Sequence, residues 1–361
     1  MDDDAPNPFD APSSLSIARR DFVMGGVAFP LLAGCVSLPA ERSVSTVLSS
    51  QKQEPLREFD VAIVGGSFAG LSAAYQLVRA SRTVAIFDTG MPRNRFAEAA
   101  HGVIGHDGSS PLLIRDVAKQ QLSAYPTTSF VDAQVTRVEA LGAGFRVTTD
   151  GELTFKAKKV ILAYGLQDIL PDRPGFREGW GRSVLQCPYC HGYEVRKQRF
   201  ALLYTSEASL HQIRIMPDWS DDIVFLGDGN RIPQDALDEM RSRNIRYEPR
   251  RLKALDVEGT KLRSIVFEDG DPVQRDAVFL ITNHKPSTDI AQQLGCTMEE
   301  GPFGQYIGTD NLQETDVPGV YAAGDVARPI HNLTWAASDG VSAGIFAHQS
   351  LLVHHNPYHK G

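Results

Sequence analysis

Phe59-Asp60-Val61-Ala62-Ile63-Val64, running directly into Gly65-Gly66-Ser67-Phe68-Ala69-Gly70, is the stretch that decides the fold. An almost unbroken apolar run of this length is the pattern of a strand buried on both faces, as in a parallel sheet. An amphipathic helix is predicted from Leu71 to about Ala80, and Val84-Ala85-Ile86-Phe87-Asp88 reads as the next strand. The whole is a βαβ unit of dinucleotide-binding type. Gly65 permits the tight turn, Gly70 lets helix and strand approach, the helix N-terminus faces a pyrophosphate, and Asp88 can accept from a ribose hydroxyl. Ser67 stands where this fingerprint usually has its middle glycine, and its Cβ narrows the approach. Gly66, Phe68 and Ala69 complete the expected cofactor-facing turn. A glycine-rich loop alone is weak; loop, strand and acidic residue in register are strong.

The C-terminal part says which dinucleotide. Val320-Tyr321-Ala322-Ala323-Gly324-Asp325-Val326 reads as a strand ending in Gly-Asp. It resembles the second flavin motif of flavoproteins with two dinucleotide domains, in which the aspartate binds the ribityl chain and a following helix points at the flavin. Trp335 and Ala336 open that predicted helix. Ala163 and Gly165 close a strand-to-turn segment that usually reads Ala-Thr-Gly. Taken singly, Gly324-Asp325 could be a surface turn. Three matches in order point to FAD.

Composition sets the limits. The chain has 361 residues, 42% hydrophobic and 22% charged, with a net charge of −8. That is long enough for two domains with real cores and ordinary for a globular protein. With no basic block, nucleic acid is excluded as the expected partner. No stretch is apolar for long enough to span a bilayer. Four cysteines in such a chain do not make a disulfide scaffold.

Residues 1–35 read as a signal and 36–56 as a linker. Arg19-Arg20-Asp21-Phe22 precedes a short apolar stretch broken by Gly25, Gly26 and Pro30, and Leu32-Ala33-Gly34-Cys35 follows. The order resembles a twin-arginine export signal and then a bacterial lipobox. It implies export to the periplasm or cell envelope, with membrane attachment through a lipid anchor on Cys35.

Cys187-Pro188-Tyr189-Cys190 lies between the two flavin motifs. Cysteines at this spacing can close a reversible disulfide, and the thiolate is the form that attacks disulfides. The same spacing is also half of a zinc site or a structural disulfide. Zinc needs two more ligands, and Cys35 and Cys296 are isolated from each other, so no metal is expected. His191, directly after the pair, has a near-neutral pKa suited to general acid–base work on a thiol.

With these motifs in this order, the chain from about residue 57 to 353 resembles the low-molecular-weight thioredoxin reductases. Cys187 to Glu194, reading Cys-x-x-Cys-His-Gly-Tyr-Glu, is similar to a branch that includes dithiol oxidases acting on microbial metabolites. Pro92-Arg93-Asn94-Arg95-Phe96 and His101-Gly102 look like that branch's flavin-side loop. The resemblance implies an α/β fold of two Rossmann-like, three-layer ββα domains, the second inserted into the first. The FAD domain would be 57–173 and 286–355, and the central NAD(P)-type domain 174–285. It also implies Arg95 and Val135 at the flavin, Cys190 facing the flavin, Cys187 exchanging with substrate, and a homodimer.

One part departs from the pattern. After the predicted strand Phe200-Ala201-Leu202-Leu203 come Tyr204-Thr205-Ser206-Glu207-Ala208-Ser209, with no glycine. Side chains stand where backbone must meet phosphate, and Glu207 adds negative charge. Asp228, after the next strand, would repel a 2′-phosphate and at best suit NAD. NADP(H) or NAD(H) binding is therefore doubtful, which agrees with export to a compartment not supplied with NADPH. Three functions follow as expectations. The first is an FAD-dependent oxidase of small-molecule or protein dithiols, with oxygen or a quinone as acceptor. The second is an NAD(P)H-dependent disulfide reductase with an atypical loop. The third is a non-enzymatic flavin-bearing redox sensor.

Overall fold

The apolar run at the start of the βαβ unit becomes the strand Glu58–Val64, at the centre of a seven-stranded sheet. This computed structural model describes residues 56–352. Strands Thr128–Val131, Val84–Phe87, Glu58–Val64 and Thr154–Leu162 pair in parallel in that order. Thr154–Leu162 is nine residues long and serves two layers. Its second half pairs in parallel with Val320–Ala322, and its first half pairs antiparallel with Phe145–Thr149, which continues to Val135–Ala140.

One face of the parallel sheet carries helices and the other carries the meander, giving three layers. Helix Phe68–Arg79 lies against helix Leu333–Leu352. The contact is close because Gly340 and Gly344 face the Ala69 and Ala73 backbone; a Cβ on Gly340 would stand 2.0 Å from the Ala69 carbonyl oxygen. Ile63, Ala73, Leu77 and Ile161 pack on the helix side, and Ala62, Val147, Val160 and Leu162 on the meander side. This is the expected consequence of a strand apolar on both faces.

The chain then passes into a second sheet and returns. The strands Leu166–Ile169 and Asn283–Pro286 pair antiparallel, with His284 opposite Asp168. Between them lies a five-stranded parallel sheet ordered Arg246–Glu248, Ile223–Leu226, Phe200–Leu203, Ala277–Leu280 and Val184–Leu185. A three-stranded antiparallel sheet, Leu252–Glu258, Lys261–Phe267 and Val273–Gln274, covers it. The molecule thus has two Rossmann-type layered domains, one inserted into the other. Among the described residues, no helix is long and apolar enough to cross a membrane. The export signal, Cys35 and most of the linker lie outside the described residues.

Candidate active site

The glycine turn forms as the motif requires. Gly65 N–H donates to the Phe87 carbonyl at 2.8 Å, and Ser67 is the N-cap of helix Phe68–Arg79 with no side-chain cap bond. Gly70 sits where a Cβ would come within 1.9 Å of the Gly65 carbonyl oxygen, so no other residue fits without moving backbone. Gly66 lies against the Asp88 side chain, and Ala69 is buried beneath. Asp88 Oδ1 accepts from Gly90 N–H at 3.2 Å. Its Oδ2 is buried and has no hydrogen-bond partner, with Lys119 Nζ at 3.6 Å and Arg115 Nη2 at 3.7 Å. A buried carboxylate oxygen left open is costly unless a ligand completes it. A ribose hydroxyl does so, and the adjoining cleft of about 480 Å³ has room for the adenosine end of FAD.

Gly324 has φ 79° and ψ −157°, a region essentially confined to glycine. It turns the chain so that Asp325 follows directly on the buried strand Val320–Ala322. Ala336, on helix Leu333–Leu352, packs under this turn, while Trp335 is exposed beside the Arg328 guanidinium. Ala163 N–H donates to the Val64 carbonyl, and Gly165 accepts from Ser287 N–H. Both therefore hold the end of the strand next to the cradle. Val135 is a core residue; the cleft beside Asp88 is lined by its neighbours Asp132, Ala133 and Gln134. The residues present fit FAD.

Cys187 and Cys190 are joined as a disulfide with Cα atoms 5.3 Å apart. Cys187 caps the short helix Pro188–His191, and Pro188 at its first position fits a site where an N–H would be unpaired. His191 is half-buried. Burial holds its pKa below the ordinary histidine value, the charges of His101 and Arg182 act the same way, and Glu194 opposes them. At neutral pH the imidazole is uncharged and able to take a proton. The segment docks on the flavin-side loop: His101 Nε2 lies 3.4 Å from Glu194 Oε1, and Arg182 pairs with Glu98. His211 is exposed and Gln212 is buried. Cys296 is a buried free thiol near Thr315, its pKa raised by burial. No cluster suited to a metal ion occurs among the described residues.

Of the two arginines in the flavin-side loop, Arg93 is the one that reaches Asp325, with Nη1 to Oδ2 at 2.8 Å. Arg95 stays local. Its Nη1 donates to the Pro92 carbonyl at 2.9 Å and its guanidinium covers the Phe96 ring. Arg93 also binds Asp168, and His331 and His284 stand edge to face beside it. Burial alone would raise the Asp168 pKa, but hydrogen bonds and charge from Arg93 bring it below the usual carboxylate range. Burial, then repulsion from His331 whenever that ring is protonated and from the Arg93 guanidinium, push His284 down to about 4. Motif reading did not single out Arg93, Asp168, His331, His284, Arg115 or Lys119. The signal for Arg93 was present only as membership of the Pro92–Phe96 run.

A dinucleotide cradle with an open ribose acceptor, a glycine-turned aspartate and a redox-capable disulfide define a flavin-dependent disulfide oxidoreductase, an enzyme acting on sulfur groups. A family model described as pyridine nucleotide-disulphide oxidoreductase matches residues 59–230 and 221–340. The chain belongs to that family, in its thioredoxin reductase-like part. The thioredoxin reductase sirT of Leptosphaeria maculans is 33% identical over 307 residues, covering 79% of this chain and 92% of its own. The thioredoxin reductase tcpT of Claviceps purpurea is 30% identical, covering 81% and 94%. The crystal structure of an oxidoreductase from Agrobacterium tumefaciens matches with a TM-score of 0.77 and 38% identity, over 82% of this chain and 99% of that one.

Proposed function

We propose that this protein is an FAD-dependent dithiol oxidase that draws electrons from a small-molecule or protein dithiol and works without a nicotinamide nucleotide. The observation that carries the proposal is the contrast between Asp88 and Asp228. Asp88 keeps Oδ2 open, whereas Asp228 has both oxygens engaged, Oδ1 by Leu252 N–H and Oδ2 by Arg173, each at 2.8 Å. The loop before it is likewise closed by its own side chains. Ser209 Oγ accepts from Thr205 and Ser206 N–H, groups that a pyrophosphate would need.

The chemistry balances without NAD(P)H. A substrate thiolate attacks Cys187 Sγ, the Cys187–Cys190 bond breaks, and Cys190 leaves as a thiolate. The second substrate thiolate attacks its own mixed-disulfide sulfur, closing the substrate disulfide and releasing Cys187. Two electrons have then moved to the protein pair, and the neutral His191 takes a thiol proton. The residue 65–70 turn, Asp88 and Asp325 would hold FAD, which when bound would supply a two-electron acceptor, with oxygen or a quinone as the final acceptor. Export and lipid attachment at Cys35 belong to the same proposal, supported by the order arginine pair, apolar run, small residues, cysteine.

A second reading, NAD(P)H-dependent disulfide reduction, is favoured by the name thioredoxin reductase carried by the relatives above. Anaerobic half-reactions separate the two. A dithiol alone should bleach the flavin at a rate matching turnover, and NADPH or NADH should leave it oxidised. Rapid bleaching by NADPH would overturn the proposal.

A further inference from the structure

We infer that Arg93 is the positioning residue that holds the Cys187–Cys190 pair of the central domain against the flavin half of the site. This rests on the flavin–dithiol reading given above. Arginine carries five N–H donors in a rigid planar fork, and at Arg93 every one has an acceptor. Nε donates to Asp168 Oδ2 at 2.9 Å, and Nη2 to Asp168 Oδ1 and to Gln186 Oε1 at 3.3 Å. Nη1 donates to Asp325 Oδ2 at 2.8 Å and faces His331 Nδ1 at 2.9 Å. His331 Nδ1 can accept only with its proton on Nε2, and Nε2–H then donates to the Arg328 carbonyl oxygen at 3.1 Å.

The acceptors come from three places. Asp325 and His331 belong to the flavin side. Asp168 lies on the first crossing strand, and its Oδ1 also accepts from Thr282 Oγ1 at 3.0 Å, next to the second crossing. Gln186 immediately precedes Cys187. One guanidinium therefore ties both crossings and the root of the disulfide segment to Asp325, the residue proposed to hold FAD. Its side chain is 18% exposed and that of Asp168 8%. The pairs Arg182–Glu98 and His101–Glu194 also bridge the domains, but Glu98 is 84% and Glu194 39% exposed, so each is weak. Electron exchange between a disulfide in one domain and a cofactor in the other needs a fixed separation. Lysine would keep the charge of Arg93 but not the fork, since three donors on one nitrogen cannot reach four residues.

The test is Arg93→Gln and Arg93→Lys in the full chain, with dithiothreitol as the dithiol. Both variants should retain FAD at close to wild-type stoichiometry. Anaerobic bleaching by dithiothreitol should slow by about 100-fold in both, the scale of a roughly 1 Å misplacement. In a Cys187→Ser background the long-wavelength band between the Cys190 thiolate and the flavin should disappear when Arg93→Gln is added. Gln186→Leu removes only the contact beside Cys187 and should slow bleaching by about 10-fold with flavin content unchanged; it serves if the Arg93 variants do not fold. Unchanged rates, a rate loss only in proportion to flavin lost, or full rescue by lysine would overturn the inference. A wild-type protein that dithiothreitol does not bleach would overturn the proposed function, and this inference with it.

Discussion

The units Glu58–Arg79 and Phe200–Asp218 begin alike and end differently. Each opens with an apolar strand in a parallel sheet, buried over Val61–Val64 in the first and over Phe200–Leu203 in the second. The first turns on Gly65 and Gly70 into a helix of 12 residues, Phe68–Arg79. The second, without glycine, breaks into a 3-10 turn Glu207–His211, one α turn Gln212–Ile215 and another 3-10 turn Met216–Asp218 containing Pro217. A long helix presents free N–H groups and an aligned dipole at its N-terminus; a broken one does neither. Ser209 fills the remaining need by bonding the loop's own N–H groups. Strand burial thus maintains the fold in both units, while on the proposed function the capacity to hold a dinucleotide rests with a few turn atoms.

Gly70→Val should break the comparison most severely. A side chain forced against backbone that cannot move aside costs about 3 kcal/mol or more, so the protein should purify without flavin or not fold; flavin absorbance per protein decides. Cys190→Ser comes next. It leaves the first unit intact, so FAD content should be normal while dithiol-driven turnover, followed by oxygen uptake, falls to background.

The paired variants Asp88→Ala and Asp228→Ala test the two units at matched positions. The first should weaken FAD binding by roughly 10-fold, the loss of about 1.5 kcal/mol for a hydrogen bond to a charged group, as read from the flavin dissociation constant. The second should leave that constant alone and lower the denaturation midpoint, because it orphans Arg173 and Leu252 N–H. Equal effects on FAD would erase the distinction.

A smaller effect concerns pH. His284, on the strand that joins the two domains, is packed beside His331 and Arg93, with Asp168 opposite, and its pKa lies at about 4 in the folded state. The unfolded chain binds that proton near 6.5. Above 6.5 both states are neutral. Between 6.5 and 4 only the unfolded state gains, so stability should fall as pH falls, by at most about 1.4 kcal/mol per pH unit. Denaturant midpoints from pH 7 to 4.5 should show the slope, and His284→Gln should flatten it. Ser209→Ala should have the least effect, about 1 kcal/mol of stability for hydrogen bonds within the closed loop, with unchanged flavin content.

What the sequence determined by itself is local. The strand at 58–64, the glycine turn and the Gly324-Asp325 turn are legible because each is a demand on a few consecutive residues, for burial, for positive φ or for close approach. Cys187 and Cys190 are legible for the same reason, being three apart on one short turn. The absence of glycine at 204–209 is also local, and the segment after it is a broken helix instead of a long one. Which arginine of the Pro92–Phe96 run reaches Asp325 follows from folding and not from the run itself. The partners of Arg93 lie 75, 93, 232 and 238 residues away, and no spacing rule links them. The same holds for Asp88 and Asp228, two aspartates after two buried strands. One is left open and the other is closed by Arg173 and the Leu252 N–H, 55 and 24 residues away from it. Hydrogen-bond satisfaction depends on what packing brings within 3 Å. That is a property of the folded chain as a whole, so a sequence can name the groups that need partners without saying which of them will find one.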